Sequence, residues 1–92
     1  MIVSWKHKGL KLFFETGSTR GIQAEHVDKL RRRLLLLNSV KDVSELNVPG
    51  YRLHRLIGNR KTIWSIKVSG NWRLTFEFNN EDVYVLDYED YH

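Results

Sequence analysis

Residues 51–78 constrain the fold more than any other part of the chain. They read Y-R-L-H-R-L-I-G-N-R-K-T-I-W-S-I-K-V-S-G-N-W-R-L-T-F-E-F. Three apolar runs rich in β-formers are separated by two polar turns, Gly58-Asn59-Arg60-Lys61 and Ser69-Gly70-Asn71. That pattern predicts a three-stranded antiparallel meander. Within it, Trp64, Ile66 and Val68 alternate with Ile63, Ser65 and Lys67, and Trp72, Leu74, Phe76 and Phe78 alternate with Arg73, Thr75 and Glu77. Successive strand residues point to opposite faces. One face is therefore apolar and predicted to meet helices, and the other is polar and partly open. Asn79-Asn80 suits a tight hairpin turn, because asparagine tolerates positive φ. Val83–Asp87 then returns as the last strand, and Tyr88–His92 is expected to run off its end.

The helices come earlier. Ile2–Trp5 reads as a short edge strand. Lys8–Thr16 carries Leu10, Phe13 and Phe14 at helical spacing, and Gly17 suits the left-handed residue that closes a helix. From Ala24 to Asn38, the residues Val27, Leu30, Leu34 and Leu37 form one amphipathic face. Leu35 and Leu36 widen it, either as extra core or as a docking ridge. Asp42, with Glu45 three residues on, signals one capped helical turn. Pro49-Gly50 then punctuates the chain. The predicted order is β-α-α-β-β-β-β. This is an α+β fold, an antiparallel sheet with two N-terminal helices packed on one face, in a single domain spanning residues 1–92.

Charge narrows the partner. The formal net charge is +4. Residues 47–73 hold six cations (Arg52, Arg55, Arg60, Lys61, Lys67, Arg73) and no carboxylate, whereas residues 74–92 hold six carboxylates and no lysine or arginine. A clustered basic segment favours a polyanion such as RNA. Arg31, Arg32 and Arg33 are either a solvated helix flank or phosphate contacts that position without reading sequence. The chain has no cysteine, which excludes thiol chemistry and agrees with a reducing cytoplasm. No signal-peptide pattern opens it, and no apolar run is long enough for a membrane helix, so no membrane association is expected.

A small set of residues has the chemistry to cut RNA. Metal-free cleavage needs a base for the 2′-hydroxyl, a cation to steady the phosphorane and an acid for the leaving oxygen. His54 supplies an imidazole, the side-chain type suited to proton transfer. Arg73 is a fixed cation on the polar face. Asp90, Tyr91 and His92 add a carboxylate, a phenol and an imidazole at the chain's end. Each also has a plain structural reading: a strand histidine, a frayed terminus, aromatic packing around the last strand. His7 and His26 receive no role. No two of the four histidines have close ligand spacing, so no metal or cofactor is expected.

Several ordered segments together resemble the HigB branch of the RelE/ParE toxins over nearly the whole chain. They are Lys8-Gly9-Leu10-Lys11-Leu12-Phe13-Phe14, Tyr51-Arg52-Leu53-His54-Arg55-Leu56 with Gly58 and Arg60, Trp64-Ser65-Ile66, Asn71-Trp72-Arg73-Leu74-Thr75-Phe76, and the ending Asp87-Tyr88-Glu89-Asp90-Tyr91-His92. The resemblance implies a type II toxin that is a ribosome-dependent endoribonuclease, cutting mRNA in the A site of the 70S ribosome. It implies a HigA-like helix-turn-helix antitoxin, with operator DNA bound only through the antitoxin complex. It places His54, Asp90, Tyr91 and His92 in the active site and likens Arg73 to a phosphate-contacting arginine. Arg31, Arg32, Arg33, Arg55, Arg60, Lys61 and Lys67 are then the expected RNA and ribosome contacts. One position departs: Ile57 stands where such toxins often carry lysine, which predicts a weakened enzyme. The alternative is a non-catalytic toxin-fold binder, acting through its antitoxin complex or, ParE-like, on DNA gyrase.

Overall fold

The computed structural model describes residues 1–91. Two helices, α1 (Lys8–Thr16) and α2 (Val27–Ser39), precede four strands: β1 (His54–Arg55), β2 (Trp64–Ser69), β3 (Trp72–Asn79) and β4 (Asp82–Asp90). The strands form one antiparallel sheet in sequence order. Short 3-10 turns cover Ala24–His26, Val43–Leu46 and Gly58–Arg60. The α+β class, with helices first and a four-stranded antiparallel sheet after them, is as read from the sequence, without the predicted opening strand. No helix among the described residues is long and apolar enough to cross a membrane.

The helix signals act as their chemistry requires. Gly17 closes α1 at φ 82 and donates to the Phe13 carbonyl at 2.8 Å. At the other end His7 accepts from the Leu10 backbone N–H at 2.9 Å, a capping role that histidine seldom fills. Asp42 caps Val43–Leu46 by accepting from the Ser44 N–H at 2.8 Å. The apolar faces of both helices, Leu10 and Phe13 with Leu30, Leu34 and Leu37, pack on the inner sheet face of Ile66, Val68, Leu74, Phe76, Val83, Leu86 and Tyr88. Leu36 joins this core from its edge, but Leu35 stays 60% exposed. Leu36 is thus extra core, and Leu35 is not.

Three strand expectations are corrected. β1 is two residues long, because the chain around it is held by isolated backbone bonds, Tyr51 O from Lys67 N and Leu56 N to Ile63 O. β4 reaches Asp90 instead of ending at Asp87, so Tyr88 and Glu89 are paired strand residues. The opening segment touches β4 in parallel through Ile2–Val83 and Trp5–Leu86 bridges without becoming a continuous strand. β4 also carries a bulge. Glu77 pairs with Tyr84 and Thr75 with Asp87, so Val85 and Leu86 together oppose Phe76. Val85 sits there at φ 48, a rare state for a β-branched residue. Its N–H is satisfied by the Ser4 hydroxyl at 2.8 Å.

The β3–β4 turn is one residue later than predicted, since Asn79 still pairs with Asp82. Its central residues are Asn80 at φ 50 and Glu81 at φ 69. Two positive φ values match the twist of a hairpin, but a glutamate there carries a steric cost of about 1–2 kcal/mol. Glu81→Gly should raise stability by about 1 kcal/mol net of glycine's extra chain entropy, read as a higher urea midpoint at unchanged slope.

His26 is 3% exposed, and its Nδ1 lies 2.6 Å from the Tyr88 hydroxyl. Burial pushes its pKa below the ordinary 6.5, with nearby Glu25 opposing the shift. The neutral ring is the form the fold accepts. Stability should therefore be full above pH 6.5 and fall as pH drops below it, where the unfolded chain binds the proton more readily. Urea unfolding between pH 7.5 and 5.5 checks this, and His26→Gln should flatten the slope.

Candidate functional site

The outer sheet face holds the polar residues. Opposed residues of neighbouring strands share a side, so the register sorts the face into two rows. One is His54, Ser65, Thr75 and Asp87, and the next is Lys67, Arg73 and Glu89. His54 and Arg73 therefore share a face, about 12 Å apart at Cα from strand spacing and rise. With both side chains extended, the gap is one that a single nucleotide spans.

His54 is exposed at the sheet edge, and its Nδ1 lies 2.7 Å from the Arg52 carbonyl oxygen. A carbonyl can only accept, so Nδ1 carries the hydrogen. The neutral ring then keeps its lone pair on Nε2. The turn that supplies this carbonyl is tight, with Arg52 at φ 51. Arg73 is half-buried, and its Nη1 is sealed from solvent with no acceptor among the described residues. One cross-strand neighbour, Lys67, is also a cation. The other, Glu89, is engaged elsewhere.

Glu89 accepts a two-pronged ion pair from Arg60, Nη1 to Oε1 at 3.2 Å and Nη2 to Oε2 at 2.6 Å. The Thr75 hydroxyl donates to the same Oε2. The Arg60 hydrogen bonds hold the Glu89 carboxyl below the usual carboxylate range against the opposing effect of burial, and Glu89 in turn raises Arg60. A pocket of about 320 Å³ opens here between Lys6, Arg60, Thr75, Glu77, Asp87 and Glu89. Three of these groups are anionic and two cationic. The outer face is thus mixed in charge, unlike the uniformly basic surface that the strand sequence alone suggested.

The remaining site residues divide. Tyr91 follows β4, donates its N–H to the Asn71 carbonyl at 2.8 Å and lies within electrostatic reach of Arg60. It is placed at the end of the polar face. Asp90 opposes Trp72, whose side chain belongs to the inner face, so Asp90 shares that side and not Arg73's. His92 lies outside the described residues. Arg55 stacks over Trp64 at 4.8 Å, and Lys61 is exposed on the turn after β1. Arg31 and Arg32 sit on α2, on the other side of the sheet from His54, and Arg31 pairs with Asp28 at 3.0 Å. Ile57 is 88% exposed.

Two expected RNA contacts have partners within the fold. Arg60 commits its guanidinium to Glu89. Arg33 is 7% exposed: Nε donates to the Lys67 carbonyl at 2.9 Å, Nη1 to the Lys29 carbonyl at 3.2 Å, and the guanidinium lies 4.1 Å from the Tyr51 ring centroid. It fastens α2 to the sheet and to the chain entering β1. Sequence reasoning passed over Glu89 and Thr75. The available signal was the abrupt change from a basic to an acidic segment, which is what two neighbouring strands show when their side chains pair.

A family model described as the RelE-like toxin of the type II toxin-antitoxin system HigB matches residues 3–92. The chain belongs to the HigB-like toxins. It is 52% identical to an endoribonuclease HigB of Proteus vulgaris over the full length of both chains. It is 31% identical to toxin HigB-1 of Vibrio cholerae serotype O1 over 80 residues, covering 85% of this chain and 84% of that one. A solution structure from Helicobacter pylori superimposes with a TM-score of 0.48 at 15% identity, over 99% of this chain and 98% of that chain. As a HigB-like toxin of a type II system, the protein has an antitoxin partner. The toxin's Arg33 holds the fold, so Arg33→Ala should cost about 2 kcal/mol in chemical unfolding, because it removes two hydrogen bonds to carbonyls and the stack on Tyr51. Arg32→Ala, on the exposed side of the same helix, should change stability by less than about 0.5 kcal/mol.

Proposed function

We propose that this toxin is a ribosome-dependent endoribonuclease that cuts mRNA in the A site by general acid–base chemistry. One observation carries the reading. A single sheet face presents an imidazole held in the Nε2-acceptor tautomer and an arginine with an unsatisfied donor. His54 Nε2 takes the proton of a ribose 2′-hydroxyl. The freed oxygen bonds to phosphorus as the bond to the 5′-oxygen breaks, and Tyr91 or His92 returns a proton to that leaving oxygen. The products are a 2′,3′-cyclic phosphate and a 5′-hydroxyl. Arg73 is the cation assigned to the charge that builds on the phosphate, through the exposed part of its half-buried side chain, since Nη1 itself is sealed from solvent. Asp90 acts from the far side of β4.

The mixed-charge face, with Ser65 and Thr75 buried at its centre, explains why the ribosome is needed. With Arg33 and Arg60 engaged within the protein, the chain has few groups to orient a free RNA. Arg55, Lys61 and Lys67 remain for phosphates, and Arg31 and Arg32 are assigned to ribosomal RNA behind the sheet. The partner is a HigA-like helix-turn-helix antitoxin, through which operator DNA is contacted, and the setting is the cytoplasm.

Purified toxin added to translating ribosomes should produce new mRNA ends in the decoding site. His54→Ala and Arg73→Ala should each lower the rate by about 10²- to 10⁴-fold. Intact message at toxin excess overturns the reading, and growth arrest that survives a His54→Ala, His92→Ala double variant points to a non-catalytic binder. Ile57 occupies no core position, so Ile57→Lys should leave stability unchanged. The added cation should raise cleavage by about 10- to 100-fold.

A further inference from the structure

β1 is the weakest part of the sheet, yet it carries His54. It is an edge strand of two residues. The turn after it, Gly58–Arg60, buries none of its residues, and the neighbouring Ile57 side chain stands in solvent. Apolar packing therefore does little to fix where this turn sits. Among the described residues, the only side-chain hydrogen bonds of residues 57–63 are those of Arg60, and they reach Glu89 on β4. The link crosses over β2 and β3. On the way it takes in β3, through the Thr75 hydroxyl bonded to the same carboxylate oxygen. Glu89 immediately precedes Asp90 and Tyr91, and Tyr91 lies within electrostatic reach of Arg60. One ion pair thus joins the turn beside His54 to the strand that carries the chain's last residues.

We propose that Arg60 and Glu89, with Thr75, are positioning residues that set the distance between His54 and Tyr91. The proposal rests on the endoribonuclease reading. A forked arginine–carboxylate pair suits the task, since its two parallel bonds fix angle as well as distance. Without it, the segment keeps its backbone bonds, the buried Leu56 and the Arg55–Trp64 stack, but nothing ties the turn to β4, and the imidazole drifts from the groups across the face. A displacement of about 1 Å between acid and base costs up to about 10²-fold in rate. The role differs from phosphate contact, in which Glu89 would merely compete with RNA for Arg60.

Cleavage on translating ribosomes, with kcat and KM separated, distinguishes the two. Arg60→Ala and Glu89→Gln should each lower kcat by about 10- to 100-fold with KM within about 3-fold. The Arg60→Ala, Glu89→Gln double variant should be no worse than either single one. The exchanged pair Arg60→Glu, Glu89→Arg should recover at least tenfold over the singles. Glu89→Gln that cuts as fast as the parent or faster, or exchange that recovers nothing, overturns the proposal. Amide hydrogen exchange supplies a reading independent of activity. Residues 54–63 should exchange faster in Glu89→Gln, while α1, α2 and the centre of β3 stay protected. Unchanged exchange at 54–63 overturns the strut even if the parent protein leaves mRNA uncut, and uncut mRNA with faster exchange removes the enzymatic reading alone.

Discussion

The ladder between β3 and β4 runs from Asn79–Asp82 at the hairpin to Trp72–Asp90 at the far end. Its inner side chains, Leu74, Phe76, Val83 and Leu86, are wholly buried under the two helices. Burial of such side chains is worth about 1.5–3 kcal/mol each, so the register is fixed by the core and not by the turn. The other parts are referred to this ladder. β2 lies along β3, and the opening residues lie along β4 through bonds such as Lys6 N to Leu86 O at 2.8 Å. The candidate site inherits its geometry from the same source. Arg73 and Glu89 are cross-strand partners on the outer side, and Tyr91 follows two residues later.

Strand pairing also rewrites the chain's electrostatics. Along the sequence, six cations in residues 47–73 precede six carboxylates in residues 74–92. In the sheet, part of each group is folded against the other. Glu89 stands between Arg60 and Arg73 on the outer face, while Asp87 belongs to the row of His54 and Thr75. The result is a face where a few cations keep free valence and the others hold the scaffold. Such a surface favours recognition by geometry over indiscriminate attraction to nucleic acid. This accords with the proposal that the toxin acts on message already held in place.

The legible parts of the sequence were those set by short-range periodicity. The Leu10–Phe13 and Val27–Leu30–Leu34–Leu37 spacings gave both helices, and alternation in β2 and β3 sorted the faces correctly. Arg73 on the polar side followed from that alternation, whereas the side of His54 depends on the two-residue register of β1 with β2. The Arg60–Glu89 pair spans 29 residues, so no local pattern announces it. Arg33 sat in a run of three arginines that reads as a solvated flank. Only the approach of Tyr51 and the Lys67 carbonyl makes a place for its guanidinium inside. His7 and His26, given no role from sequence, cap a helix and fill the core beside Tyr88. Both roles depend on neighbours that the unfolded string does not display.

Val85 gives the last strand its second phase. Upstream of it Val83 faces the helices, and downstream Leu86 and Tyr88 do, so the two inward sets differ by an odd number of residues. In an uninterrupted zigzag begun at Val83, positions 85, 87 and 89 would all turn inward, carrying two carboxylates into oil. The left-handed step at Val85 skips one beat and exchanges the sides of everything after it. Straightening the strand there, with Val85 taken into the regular ladder, would leave its composition untouched. It would also turn the toxin inside out from position 86 onward, with Tyr88 outside and Glu89 beneath the helices.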